Sequence, residues 1–363
     1  MRRPKALFSI CVLFLTIASA MTDYDNTSTI GPARGWLIIS GGGGLINEVK
    51  ERFVALAGGS SGNFVVIPTA LTDAEIDPAK VRQSYSNGFR VPHVTVLHTR
   101  DRVRANSDGF VEPLRHASAV IIEGGRQWRL ADAYIGTAVE REIKALLARG
   151  GVVCGGSAGA SIQGSYLVRG APEGNETMMA PGHETGFGLL NNSAIDQHVN
   201  TRGRERDLDA VIAAHPNLLG VGIDEKAAIV VHGDSFFVVG GQVAIHDGKD
   251  HDGAGYYFLS SGQAFNLKAR SAETLQTAAY PLVLRVNSVT SRTPNQGVVR
   301  TVGSGVLYEG STVVRGNLNF ECNVSLYSIG NLGYPARMKD SRQIDVLARE
   351  INSDQLRAYT CRY

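Results

Sequence analysis

Gly150-Gly151-Val152-Val153-Cys154-Gly155-Gly156-Ser157-Ala158-Gly159-Ala160 is a short apolar run that stops at a glycine-flanked serine and resumes as small residues suited to a helix. A strand that ends in G-x-S-x-G and turns straight into a helix is a nucleophile elbow. The turn is tight, only small neighbours fit, and the serine oxygen stands exposed above the sheet. The stretch predicts a strand-to-helix junction with a serine hydrolase centre at its tip. Glycine-rich turns after buried strands are common in themselves, so the segments around this one carry the decision.

Upstream, Trp36-Leu37-Ile38-Ile39, Phe64-Val65-Val66-Ile67, Val94-Thr95-Val96-Leu97 and Ala119-Val120-Ile121-Ile122 are short apolar runs separated by helical stretches, the last of them over about Thr137 to Ala148. Strands buried on both faces and alternating with helices imply a doubly wound α/β layer with a mostly parallel sheet. Such sheets place their sites outside the carboxyl ends of the strands, so Gly41 to Gly44, Gly124-Gly125 and Ser157 should gather at one edge. The first glycine run is not a nucleotide loop, because it matches neither G-x-G-x-x-G nor a G-K-[ST] ending. Beyond Glu225 the texture becomes β-rich, with Ala228 to His232, Ser235 to Val239 and Val243 to Ile245 reading as hairpins. The expected organisation is an α/β domain over 21–264 and a β-rich C-terminal extension over 265–363. His246, Asp247, His251 and Asp252 crowd one turn without a recognised ligand spacing, and they read as a solvated hairpin tip rather than a metal site.

The chain opens with Arg2, Arg3 and Lys5, an apolar run from Ala6 to Ile17, and Ala18-Ser19-Ala20. This is the pattern of a cleavable signal peptide over 1–20, and it predicts a secreted or periplasmic protein. The apolar run is shorter than the roughly 20 residues that span a bilayer, so no stable membrane insertion is expected. Cleavage at that point removes three basic residues and turns a formal charge of +2 into −1, so composition points to no nucleic-acid partner. Cys154, Cys322 and Cys361 remain. An oxidising compartment would let Cys322 and Cys361 pair, and Cys154 in the apolar strand reads as a buried small hydrophobe.

A serine hydroxyl needs a base within hydrogen-bond reach and a third group to orient that base. The best base is His198 in Ile195-Asp196-Gln197-His198, followed by Val199-Asn200-Thr201-Arg202-Gly203-Arg204, which sets guanidinium groups close to it. Together Gly156-Ser157-Ala158-Gly159-Ala160-Ser161, Gly124-Gly125-Arg126-Gln127, Asp196-Gln197-His198 with Arg202 and Arg204, and Gly222-Ile223-Asp224-Glu225 resemble the cyanophycinase-like serine peptidases, the family of cyanophycinase and dipeptidase E. The resemblance runs from about Gly35 to Gly248. It implies a fold like the class I glutamine amidotransferases. The activity it implies is a Ser/His/acid exopeptidase acting at aspartyl linkages, on a peptide or a cyanophycin-like polymer of β-Asp-Arg units, with no cofactor and no metal.

Carried over by motif, Ser157 is the nucleophile, His198 the base, and the N–H groups of Gly125 and Ala158 the oxyanion hole. Gln127, Asp196, Gln197, Arg202 and Arg204 match positions that bind substrate. The family places the triad acid between serine and histidine, where the chain offers Glu173 and Glu176; spacing favours Glu173. One departure concerns the polymer: Asp207 stands where cyanophycinase carries a further arginine. A homodimer is left open. Two other readings stay on the table, an α/β-hydrolase-type esterase and a noncatalytic polymer-binding protein on the same scaffold. The first lacks its H-G-G-G-type oxyanion loop, and the second expects a lost triad residue.

Overall fold

The computed structural model describes residues 29–273, 282–292, 300–309, 312–322, 333–340, 342–349 and 356–362; the leader read over 1–20 lies outside them. The α/β part contains strands β1 (Trp36–Ser40), β2 (Phe64–Ile67), β3 (Val94–Val96), β4 (Ala119–Ile122), β5 (Val152–Gly156), β6 (Gly164–Tyr166), β7 (Leu190–Gln197) and β8 (Leu219–Ile223). It continues with β9 (Ala228–His232), β10 (Ser235–Val239), β11 (Gln242–His246), β12 (Tyr257–Ser260), β13 (Ala264–Asn266) and β14 (Ser271–Glu273). These strands make two sheets rather than one: a nine-stranded sheet in the order β14-β13-β10-β9-β1-β5-β4-β2-β3 and a five-stranded sheet in the order β12-β11-β8-β7-β6.

The central strands β1, β5, β4, β2 and β3 are parallel, and their residues alternate between two cores. Leu37, Ile39, Val65, Ile67, Val120, Ile122 and Val153 face one layer, which includes the buried side of the helix Ala138–Ala148. Ile38, Val66, Ile121 and Cys154 face the other, against the helices Asn47–Leu56 and Pro78–Phe89. A strand buried on both faces has no polar position to offer, which is why these segments read as unbroken apolar runs. Truncating a fully buried residue such as Ile38 to alanine removes contacts worth about 2 to 5 kcal/mol. The helix Pro78–Phe89 begins where Asp77 accepts hydrogen bonds from the N–H groups of Ala79 and Lys80, with proline in its first turn.

The antiparallel hairpins are shared between the sheets. β9 pairs with β1 and β10 with β9, while β11 pairs with β8 of the second sheet. Phe265, expected at the start of an extension, instead sits in β13 beside β10 and stacks on Phe236 at 5.2 Å. The large sheet therefore runs on through Glu273, past the boundary read at residue 264. Apolar burial overrode the change in texture on which that boundary rested.

The remaining described strands, β15 (Leu282–Arg292), β16 (Arg300–Glu309), β17 (Thr312–Cys322), β18 (Gly333–Asp340), β19 (Gln343–Arg349) and β20 (Leu356–Arg362), close into a six-stranded barrel. Every pairing in it is antiparallel. Cys322 of β17 lies opposite Cys361 of β20, and the two are joined by a disulfide. Cys154 is free and fully buried, and burial pushes its thiol up to about 12. Alkylation of the intact chain lacking residues 1–20 should therefore label no cysteine, unfolding without reductant should release one thiol, and reduction two more. Two or more labelled thiols before reduction would contradict the Cys322–Cys361 bond.

Candidate active site

The parallel strands bring their carboxyl ends to one edge, and the elbow stands there. Ser157 caps β5 with φ 54° and ψ −118°, a region that a side-chain-bearing residue enters only when its surroundings hold it. The turn is too close-packed for larger neighbours: a Cβ on Gly159 would lie 2.1 Å from the carbonyl oxygen of Ile122. The N–H groups of Ala160 and Ser161 bond back to the Ser157 carbonyl and start the helix Ala158–Ser161. The turn after β4 abuts the serine, with the position of a Cβ on Gly124 only 3.1 Å from the Ser157 Cβ. Gly125 and Ala158, the expected oxyanion donors, thus belong to the two turns that flank the Ser157 side chain.

His198 follows β7 and is buried, also at positive φ (56°), with its N–H bonded to the Gly41 carbonyl at 3.1 Å. Its Nε2 lies 2.9 Å from Ser157 Oγ and its Nδ1 lies 2.6 Å from Glu225 Oε1. With Nδ1–H donating to the carboxylate, the Nε2 lone pair is left to accept the serine proton. Burial lowers the affinity of the imidazole for a proton below the usual histidine range. Glu225 opposes this, and the Arg202 and Arg204 cations reinforce it. The neutral form that can act as a base is therefore favoured.

The acid beside His198 is thus Glu225, not Glu173 or Glu176. Glu173 is exposed on the loop after β6, and Glu176 is exposed 3.9 Å from Arg204. The reason is sheet pairing: β7 and β8 run parallel with Gln197 opposite Ile223, so the residues just past the two strand ends become neighbours despite 27 residues of separation. The sequence did carry a signal, since Asp224-Glu225 directly follows an apolar strand. The glycine run after β1 has its explanation here as well. Gly42 (φ 120°) lies where a Cβ would be 2.3 Å from the His198 ring, so the loop forms the wall behind the imidazole.

The expected substrate residues divide into two groups. Asp196 is 0% exposed, and both of its oxygens accept from Arg169, at 2.8 and 2.9 Å; it is committed inside the fold and does not face a substrate. Gln127 is buried and gives a side-chain N–H to the Val168 carbonyl at 2.9 Å. Arg204, by contrast, is 7% exposed yet weakly held, with one 3.4 Å bond to the Gln197 carbonyl and Glu176 at 3.9 Å. Gln197 is buried with its side-chain oxygen unpaired. Arg202 is exposed on the short helical turn Asn200–Arg202, which Asp224 ties down by accepting from the Thr201 N–H and hydroxyl. The site therefore keeps the guanidinium groups of Arg202 and Arg204 near His198, donors suited to a carboxylate.

The hairpin cluster also departs from expectation. His246 and Asp247 are buried rather than solvated, with His246 Nδ1 at 2.9 Å from Asp209 and His251 Nε2 at 2.8 Å from Asp247. Among the described residues no group of three or more His, Cys, Asp or Glu side chains is arranged to hold a metal ion. No described helix is long and apolar enough to cross a membrane.

The sequence profile of peptidase family S51 matches residues 36–239, a span that contains Ser157, His198 and Glu225 and stops before the barrel. A cyanophycinase of Geminocystis herdmanii is 30% identical over 206 residues, covering 56% of this chain and 75% of that protein. A cyanophycinase of a Nostoc species is 29% identical over 267 residues, covering 66% of this chain and 85% of its own length. Among solved structures, a peptidase from an acI-B1 Actinobacterium superposes with a TM-score of 0.51 at 26% identity, over 65% of this chain and 98% of that one.

Proposed function

The chain belongs to peptidase family S51, a serine-type peptidase with the cyanophycinases among its relatives, and from that premise we propose that it is an exported exopeptidase that hydrolyses aspartyl peptide bonds. The observation that carries this reading is the unbroken chain Ser157 Oγ, His198, Glu225, lying next to a buried arginine with only weak partners. In the proposed reaction Ser157 Oγ attacks the scissile carbonyl as its proton passes to His198 Nε2. The Glu225 carboxylate holds Nδ1–H and stabilises the imidazolium. The N–H groups of Ala158 and Gly125 receive the oxyanion, each such donor being worth about 3 to 4 kcal/mol when aimed at the tetrahedral intermediate. His198 then protonates the leaving amine, and a water repeats the sequence on the acyl-enzyme.

Arg204, Arg202 and the Gln197 amide supply the preference for a substrate with a free carboxylate beside the scissile bond, as in β-Asp-Arg and other isoaspartyl peptides. Asp207 is paired with Arg169, so the position where the family resemblance leads one to expect a cation offers a substrate no positive charge. Short isoaspartyl peptides are therefore the better substrates and the arginine-decorated polymer the poorer one. Export rests on the basic and apolar pattern of residues 1–20.

Arg204→Ala tests the substrate assignment. A charge-assisted hydrogen bond contributes about 1.5 to 3 kcal/mol, so kcat/KM for β-Asp-Arg should fall roughly tenfold to a hundredfold. Hydrolysis of a small neutral ester should stay within about twofold of the wild-type rate, since no carboxylate is there to be gripped. Equal losses on both substrates would make Arg204 structural. A wild-type protein that reacts with a fluorophosphonate but cleaves no aspartyl peptide would defeat the substrate and leave the hydrolase.

A further inference from the structure

Behind the arginine cluster lies a guanidinium that the proposed chemistry does not use. Arg169 follows β6, is 1% exposed, and holds a left-handed backbone with φ 57°. Such a conformation persists in a non-glycine residue where the surroundings over-determine it. The side chain shows what determines it here. Nε and Nη2 donate to the two oxygens of Asp196 at 2.8 and 2.9 Å, Nη1 donates to the Asn175 carbonyl at 2.7 Å, and Nη2 also donates to Asp207.

These partners come from separate parts of the site. Asp196 stands two residues before His198, and Asp207 opens the helix Asp207–Ala214 three residues after Arg204, whose carbonyl accepts the Asp207 N–H at 3.1 Å. Asn175 immediately precedes Glu176, the carboxylate 3.9 Å from Arg204. Apolar packing among Tyr166, Val168, Ala194, Leu208 and Val211 also brings these segments together. That packing is non-directional and leaves their relative rotation open, whereas a guanidinium fork has fixed donor directions.

We propose that Arg169 is a positioning residue: its guanidinium locks the end of β7 against the start of the helix Asp207–Ala214, and so sets both the approach of His198 to Ser157 and the placement of Arg204. It acts through these two groups and, being buried, does not itself meet the substrate. The proposal rests on the serine-peptidase reading of the site.

Two variants test it. Arg169→Lys keeps a cation beside Asp196 but replaces the planar fork with a single point donor. Asp207→Asn leaves the Arg169–Asp196 pair intact and weakens only the arm to the helix. The measurements are the rates at which Ser157 is phosphonylated by a neutral and by an anionic fluorophosphonate, with the melting temperature recorded for each protein. A misplacement of 1 Å can cost on the order of a hundredfold, so Arg169→Lys should slow the neutral probe roughly tenfold to a hundredfold while the protein remains folded. Asp207→Asn should leave the neutral rate unchanged and lower the anionic-to-neutral ratio by roughly threefold, the scale of one ion pair partly screened by solvent. A folded Arg169→Lys protein with the wild-type neutral rate overturns the proposal. Should that variant fail to fold, an unaltered ratio in Asp207→Asn overturns it instead. A wild-type protein inert to both probes defeats the peptidase reading. The positioning role is then judged by NMR titration of the His198 imidazole, which Arg169→Lys should shift; an unshifted titration in a folded Arg169→Lys protein overturns it.

Discussion

Ser157→Ala, His198→Ala and the double variant should lose peptide hydrolysis to nearly the same extent, on the order of a millionfold in kcat. The two side chains are 2.9 Å apart and act in one step, so once either is gone the other has nothing left to contribute. What remains in all three proteins is catalysis by the oxyanion donors and by substrate binding, about 10³ to 10⁴ above the uncatalysed rate. The measurement is single-turnover hydrolysis of β-Asp-Arg with each purified variant, and mass spectrometry after fluorophosphonate treatment shows which of them still form an adduct. Only the serine variants should lose the adduct site altogether. Losses that multiply in the double variant would mean the residues act independently. Substantial turnover by Ser157→Ala free of contaminating peptidase would remove the nucleophile assignment.

The elbow and the parallel core were legible because local chemistry dictates them. Ile38 and Ile39 face opposite cores, and a strand with no exposed face has to be written as an apolar run. Ser157 and His198 were legible because each follows directly on its own strand. What failed to show were relationships created by pairing between strands distant in sequence. Glu225 meets His198 only because β7 and β8 align in parallel, and it lies beyond His198 in the chain rather than in the loop between Ser157 and His198. Asp196 lies two residues before His198 in the chain, yet Arg169, arriving from β6, claims both of its oxygens. Phe265 looked like the start of something new until β13 docked beside β10. His246 and Asp247 looked solvated because a turn rich in polar residues usually is, and here the helix Asp207–Ala214 brings Asp209 against His246.

The carboxylate that meets His198 gives the sharpest contrast between chain order and geometry. Glu225→Gln should lower kcat by about 10³ to 10⁴, the scale seen when the carboxylate behind a catalytic histidine is neutralised. Glu173→Gln, on an exposed loop, should stay within about twofold, as surface substitutions generally do. Two physical losses combine at Glu225. A glutamine amide can turn its N–H towards Nδ1 and so favour the tautomer whose Nε2 carries the proton and cannot accept the serine's. Whichever way the amide turns, the imidazolium that forms during attack no longer has a negative charge 2.6 Å away. The pH profile separates this from simple damage. In the wild type His198 already binds its proton less readily than an ordinary histidine, because burial outweighs the upward pull of Glu225, so the acid limb of kcat/KM lies below the usual histidine range. As pH falls through that limb the imidazole protonates and can no longer act as a base. Removing Glu225 takes away the carboxylate that favours the protonated form, so the limb of Glu225→Gln should move to still lower pH as the plateau collapses. A limb that moves to higher pH, or a Glu173→Gln protein that loses activity while Glu225→Gln keeps it, would return the role to the loop after the elbow.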